Sequence, residues 1–86
     1  MGWRVTLKKP SGKYAGVLSL KYGYLDFEKN NSTHKLLKLA DLQYGILRRD
    51  TMKRKAIELF STSGKSWTFT FQSQPEREDF EKQLKH

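Results

Sequence analysis

The stretch from Trp67 to Glu76 limits the fold more sharply than any other part of the chain. In Trp67-Thr68-Phe69-Thr70-Phe71, aromatics alternate with threonines, the pattern of a strand with one face buried. Immediately afterwards the grammar changes. Ser73 with Glu76 three residues on forms a capping box, and Pro75 suits a first helical turn. Phe80 and Leu84 stand four apart, joined by the stem of Arg77, so the helix has a narrow apolar face and must dock to be stable. Glu76, Glu78 and Asp79 near its start and Lys82 and Lys85 near its end suit the helix dipole.

Upstream of this switch the period is two throughout. Trp3, Val5 and Leu7 alternate with Arg4, Thr6 and Lys8, a half-buried strand. Lys9 to Lys13 reads as a turn, because Pro10 presets φ and Gly12 tolerates positive φ. Tyr14, Gly16, Leu18 and Leu20 share one face of the next strand, where Gly16 marks a bulge or a close backbone approach. Gly23 ends that run. Tyr24 to Glu28 directs Leu25 and Phe27 inward. Lys29 to Thr33 reads as a polar loop and Leu36 to Leu42 as a strand. Tyr44 to Leu47 leads into a basic hairpin turning at Asp50-Thr51, and Ala56 to Phe60 is its returning strand. Ser61 to Ser66 is a turn. The expected fold is mainly β with one C-terminal α-helix, a bent antiparallel sheet or open barrel of six to seven strands capped by the helix. Phe80 and Leu84 would meet Trp3, Leu18, Phe69 and Phe71. One domain covers residues 1–86, with strands over about 3–72 and the helix over about 74–85.

Hydrophobic content is 36%, but the 13% of aromatic residues supplies enough area for a folded core. The absence of cysteine excludes disulfides and thiolate metal sites. No apolar run approaches the roughly 18 residues of a membrane span, and Met1 to Arg4 lacks the apolar core of a signal peptide. The expected location is cytoplasmic, peripheral at a membrane or cytoskeletal scaffold. The net charge is +8, and it is uneven: residues 74–86 carry −1, so residues 1–73 carry +9. Such a balance favours anionic partners.

Catalysis needs titratable groups brought together. His34 and His86 have no sequence partner, and Ser63-Gly64-Lys65-Ser66 is a fragment of a phosphate loop without its upstream glycine. Asp26 and Glu28 share a strand face as solvated edge residues. The chain reads as a non-enzyme without metal or cofactor. Two basic groups remain. Lys8, Lys9 and Lys13, with Lys21, would gather ammonium groups near one end of the barrel for anionic head groups. Arg48, Arg49, Lys53, Arg54 and Lys55 would meet an acidic protein partner or phosphates. For each group the plain alternative is a solvated loop. Trp67, Phe69 and Phe71 read as core rather than base-stacking platforms, so nucleic acid is not an expected partner.

In order, Gly16-Val17-Leu18-Ser19-Leu20, Tyr24-Leu25-Asp26-Phe27, the Leu39/Leu42 segment, Arg48-Arg49, Ala56-Ile57-Glu58-Leu59-Phe60, Trp67 to Phe71 and Arg77-Glu78-Asp79-Phe80 resemble the pleckstrin-homology superfold. Within it the set looks most like the domains that precede BEACH domains and like GRAM modules. The resemblance covers about residues 15–84. It implies a non-catalytic binding module and does not by itself imply lipid binding; the basic first hairpin adds the expectation that the module targets a larger protein to anionic, phosphoinositide-containing membranes. Ala15 stands where the lipid-binding members carry an arginine, and Asp50 where an aromatic follows the paired arginines. That implies weak binding with low isomer selectivity. The resemblance equally implies a protein-docking module for an acidic partner or adjoining domain, using the Arg48–Lys55 hairpin or a sheet edge.

Overall fold

The computed structural model describes residues 2–43, 48–49 and 54–84. Seven strands form one antiparallel sheet: β1 (Gly2–Lys9), β2 (Gly12–Lys21), β3 (Tyr24–Lys29), β4 (Ser32–Lys38), β5 (Arg48–Arg49), β6 (Ala56–Phe60) and β7 (Ser66–Phe71). Their order is β4-β3-β2-β1-β7-β6-β5, and helix α1 (Gln74–Leu84) closes the chain order. The sheet bends without closing. Near its open corner, an antiparallel Leu42–Ser61 bridge, made by the bonds Gln43 N to Phe60 O and Thr62 N to Asp41 O, ties the segment after β4 to the end of β6 and the loop beyond.

The alternation read in the sequence becomes two faces. Trp3, Val5 and Leu7 of β1, Leu18 of β2, Leu25 and Phe27 of β3, Ile57 and Leu59 of β6, and Trp67, Phe69 and Phe71 of β7 are buried on the concave side. Helix α1 seals that side. Phe80 sits with its ring centroid 5.1 Å from Trp3, edge to face, and 5.2 Å from Phe71. Leu84 is buried beside them. The Trp3 indole Nε1 donates to Asp79 Oδ2 at 3.1 Å, so one residue of β1 fixes the helix both by packing and by polarity. Ser73 caps the helix as expected, its Oγ accepting from Glu76 N at 3.4 Å.

Gly16 is a close approach rather than a bulge. A Cβ there would lie 2.6 Å from Cζ of Phe27, and it would also meet the Glu28 carbonyl. The register shift falls instead between Leu25 and Asp26, opposite β4.

Two expectations are corrected. Lys29 to Thr33 is not a loop: β3 runs to Lys29, the turn is Asn30-Asn31 alone, and β4 starts at Ser32. Both asparagines have positive φ, 50° and 64°, which a two-residue primed turn requires and asparagine tolerates, so the strands continue through residues that look polar. Leu36 to Leu42 is not one strand. Pairing stops at Lys38, and Leu39–Asp41 forms a 3-10 turn whose Leu39 N donates to Gly23 O at 2.8 Å. The expected run Tyr44–Leu47 and the turn at Asp50-Thr51 lie outside the described residues.

Candidate functional site

In β1 and β2 the register pairs Leu7 with Tyr14, Lys8 with Lys13, and Lys9 with Gly12. Because facing alternates, Lys9 falls on the concave side with Leu7, whereas Lys8 and Lys13 stand opposite one another on the convex side. Lys21 ends the same strand eight residues beyond Lys13, about 26 Å along it. The four lysines expected to converge are thus divided three ways.

What converges instead is a cup between the first and third hairpins. It has a volume of about 320 Å³ and is lined by Leu7, Lys9, Tyr14, Phe27, Lys29, His34 and Leu36. Each lining residue has a structural reason to be there. Lys9 and Tyr14 belong to the β1–β2 hairpin, and Phe27 faces His34 across β3 and β4. Lys29 is placed by the short Asn30-Asn31 turn, and Leu36 by the register shift in β4. Lys29 Nζ lies 4.0 Å from the centroid of the Tyr14 ring, a cation–π contact, and the Tyr14 hydroxyl bonds Ser11 Oγ at 2.9 Å. Among the described residues no carboxylate lines the cup. Two ammonium groups and an imidazole over an apolar floor therefore make a pocket that attracts anions and offers hydrogen-bond donors to them.

Lys29 and His34 were missed because the residues around Asn30 read as loop. Period two puts Lys29 on the face of Phe27, and a two-residue turn at Asn30-Asn31, which pairs Lys29 with Ser32 and Phe27 with His34, would have put His34 there as well. The same period already sets Lys8 and Lys9 on opposite sides.

The second basic group is only partly described. Arg48 and Arg49 form β5, paired with Glu58 and Ile57, and Lys53 lies outside the described residues. Arg54 and Lys55 are exposed at the turn before β6. Their backbone is tightly held: Phe71 N donates to Lys55 O at 2.7 Å, and Arg77 Nε donates to Arg54 O. Arg77 is 4% exposed and pairs with Glu81, 6% exposed, one helical turn on. The sequence suggested that Arg77 contributes only its stem. Its head is buried as well, because Glu81 and a carbonyl satisfy it.

Among the described residues no group of three or more His, Asp or Glu side chains is placed to hold a metal ion, and no helix is long and apolar enough to cross a membrane.

No family model matches the chain, and no curated protein does. Among solved structures it is similar to Inner Membrane Complex Sub-compartment Protein 3 from Toxoplasma gondii, at 16% identity and a TM-score of 0.72, over 98% of this chain and 71% of that one. The likeness concerns backbone shape alone, at an identity that carries no information on ligands. The chain has a pleckstrin-homology-like fold.

Proposed function

We propose that this chain is a non-catalytic binding module that holds anionic, phosphorylated head groups at a membrane surface, in the cup between the β1–β2 and β3–β4 hairpins. The observation that carries the reading is the convergence of Lys9, Lys29 and His34 on a cup that no carboxylate lines among the described residues. Lysine heads are compact point charges without the planar fork of arginine, so they attract phosphate without fixing its orientation. Low selectivity among inositol phosphate isomers follows. Lys8 and Lys13, on the reverse face of the same hairpin, add long-range attraction to an acidic bilayer, each on the order of 1 kcal/mol. On this reading the protein is peripheral at the membrane.

Two measurements test it together. An NMR titration with soluble inositol phosphates should shift the amides of Lys9, Tyr14, Lys29 and His34 and leave the Arg54 turn unmoved. Co-sedimentation with phosphatidylserine and phosphoinositide vesicles should fall with salt and with the triple change Lys8→Ala, Lys9→Ala, Lys29→Ala. Absence of any shift in the cup at millimolar inositol phosphate defeats the reading.

A second reading has an observation of its own. The Arg54-Lys55 turn exposes both side chains from a backbone anchored to β7 and to α1. Rigid presentation of basic side chains suits docking of an acidic partner or adjoining domain. The narrower resemblance to modules that precede BEACH domains supports the same use. Shifts confined to residues 54–58 with a partner, and none with lipid, would favour it.

A further inference from the structure

Tyr22 is the only exposed large hydrophobic side chain among the described residues, at 98% exposure. It is held in a backbone conformation that aromatic residues avoid, with φ of 50°. The chain itself supplies the comparison. The two-residue turn joining β3 to β4 uses Asn30 and Asn31 at φ of 50° and 64°, while the turn joining β2 to β3 uses Tyr22 and Gly23 at 50° and 78°. Gly23 suits its position; Tyr22 does not, and no core contact compensates it. The turn is nonetheless pinned, since Gly23 O accepts from Leu39 N at 2.8 Å. A fully exposed aromatic ring on a hairpin tip whose backbone is held is poor for stability and well suited to contact.

The surroundings indicate the contact's chemistry. Directly behind the tip, Lys21 pairs with Tyr24 and Tyr24 with Lys38, giving one row across β2, β3 and β4 on the convex face. Lys35 Nζ lies 4.7 Å from the Tyr24 ring centroid. Lys35 thus covers the Tyr24 ring, Lys21 and Lys38 border Tyr24 on either side in the sheet, and Tyr22 follows Lys21 directly at the turn. Of the nearby carboxylates, Asp26, expected as a solvated edge residue, is instead buried at 7% exposure, and Asp41 lines the adjoining groove with Lys38, Thr62 and Ser63. This end of β2 is about 30 Å along the strand from the Pro10-Ser11 turn, in a molecule 29 Å across.

We propose that the Tyr22 tip, with Lys21, Lys35 and Lys38, is a docking point for an acidic protein segment that seats an apolar side chain on the Tyr22 ring. Single-stranded nucleic acid fits less well, because it stacks successive bases on several rings and Tyr24 is already covered by Lys35. The choice of a protein over a bilayer rests on the membrane reading of the cup, since a bilayer at the cup leaves the Tyr22 end free. The module would then join a membrane to a protein through opposite ends of one hairpin sheet.

The test uses the full chain and a synthetic peptide of aspartate and glutamate around a single leucine. Amide shifts are expected at Lys21, Tyr22, Gly23 and Lys38. Tyr22→Asn, which suits the turn better and keeps the fold, should weaken the peptide by about fivefold or more, as loss of a central aromatic anchor does. Lys21→Glu with Lys38→Glu should abolish binding. Inositol hexakisphosphate at the cup should leave peptide affinity unchanged. If it fails to bind the cup while the peptide still shifts Tyr22, the membrane reading falls and the docking point stands. Peptide shifts away from Tyr22, unchanged affinity in Tyr22→Asn, or stronger shifts at Tyr22 with phosphatidylserine vesicles or oligouridylate than with the peptide would each overturn the proposal.

Discussion

Lys29 reaches across from the end of β3 to lie 4.0 Å over the Tyr14 ring of β2, and Tyr14 is itself held by Ser11 at the first hairpin tip. The ammonium is thus aimed at the cup by an aromatic surface rather than by a carboxylate, which leaves its charge available to a ligand. Lys29→Ala should lower affinity for soluble inositol phosphates about fivefold, the equivalent of roughly 1 kcal/mol for one basic residue. Tyr14→Leu keeps the charge and loses its support, at about 0.5–1 kcal/mol, so a two- to fivefold loss is expected. Tyr14→Phe should match the unaltered protein. Equal affinity in all three variants, measured by calorimetry, would remove the cup from consideration.

Gly16 lies opposite Val5, with the Phe27 ring over it. Gly16→Ala places a methyl group against that ring and against the Glu28 carbonyl, and overpacking of this kind costs about 1–3 kcal/mol. Urea unfolding should show a lower midpoint with an unchanged slope. Adding Phe27→Leu should recover part of the loss, because the smaller side chain vacates the space. A full-sized loss that Phe27→Leu leaves untouched would point to the backbone contact alone.

These two sites differ in how far the sequence revealed them. Gly16 was marked by its place inside an otherwise apolar face, and the aromatic strand and capped helix announced β7 and α1 directly. The cup was hidden for a specific reason. Asn30-Asn31 with Ser32 and Thr33 has loop composition, yet asparagine's tolerance of positive φ lets a two-residue turn carry the strands straight through. Lys29 and His34 then become strand residues with a face. The division of Lys8 from Lys9 was legible from period two, whereas the 3-10 turn at Leu39–Asp41 depends on Leu39 N finding Gly23 O, a contact no local pattern encodes.

Lys8 and Lys13 stand directly opposite on the convex face, and like charges in that relation destabilise a sheet by a few tenths of a kcal/mol up to about 1. Lys13→Glu should therefore raise the unfolding midpoint slightly while weakening salt-sensitive attachment to acidic vesicles. Affinity for soluble inositol phosphates at the concave cup should change little. A loss of both together would mean that the two faces of the hairpin act as one site.

The Arg77–Glu81 pair is buried under the turn it organises, through the bond from Arg77 Nε to Arg54 O. Without Glu81 the buried Arg77 guanidinium keeps only the Arg54 carbonyl and the half-exposed Glu78 at 3.8 Å, so Glu81→Leu alone should cost about 3 kcal/mol. Arg77→Met with Glu81→Leu should restore much of that stability, because the cost lies in the stranded charge. The double variant still lacks the anchor on Arg54, so hydrogen exchange should quicken at residues 54–56 even where global stability returns. Slow exchange there would show that Phe71 N on Lys55 O suffices to hold the turn.

Tyr22 offers the opposite outcome, a substitution that strengthens the fold. Its φ of 50° is one that asparagine and glycine adopt readily, as Asn30 does in the neighbouring turn at the same angle. With 98% of the side chain exposed, little packing is lost on replacement. Tyr22→Asn and Tyr22→Gly should each stabilise the protein by about 0.5–1 kcal/mol, glycine by the smaller amount because its unfolded chain has more freedom to lose. For a domain of this size the asparagine variant should melt about 4–8 °C higher per kcal/mol gained. A ring that weakens the fold and touches no core side chain contributes nothing to the interior, which is the physical premise of the proposed contact outside it. If both variants are instead less stable than the parent, the ring supports the turn, and the argument for Tyr22 as a docking residue loses its main physical premise.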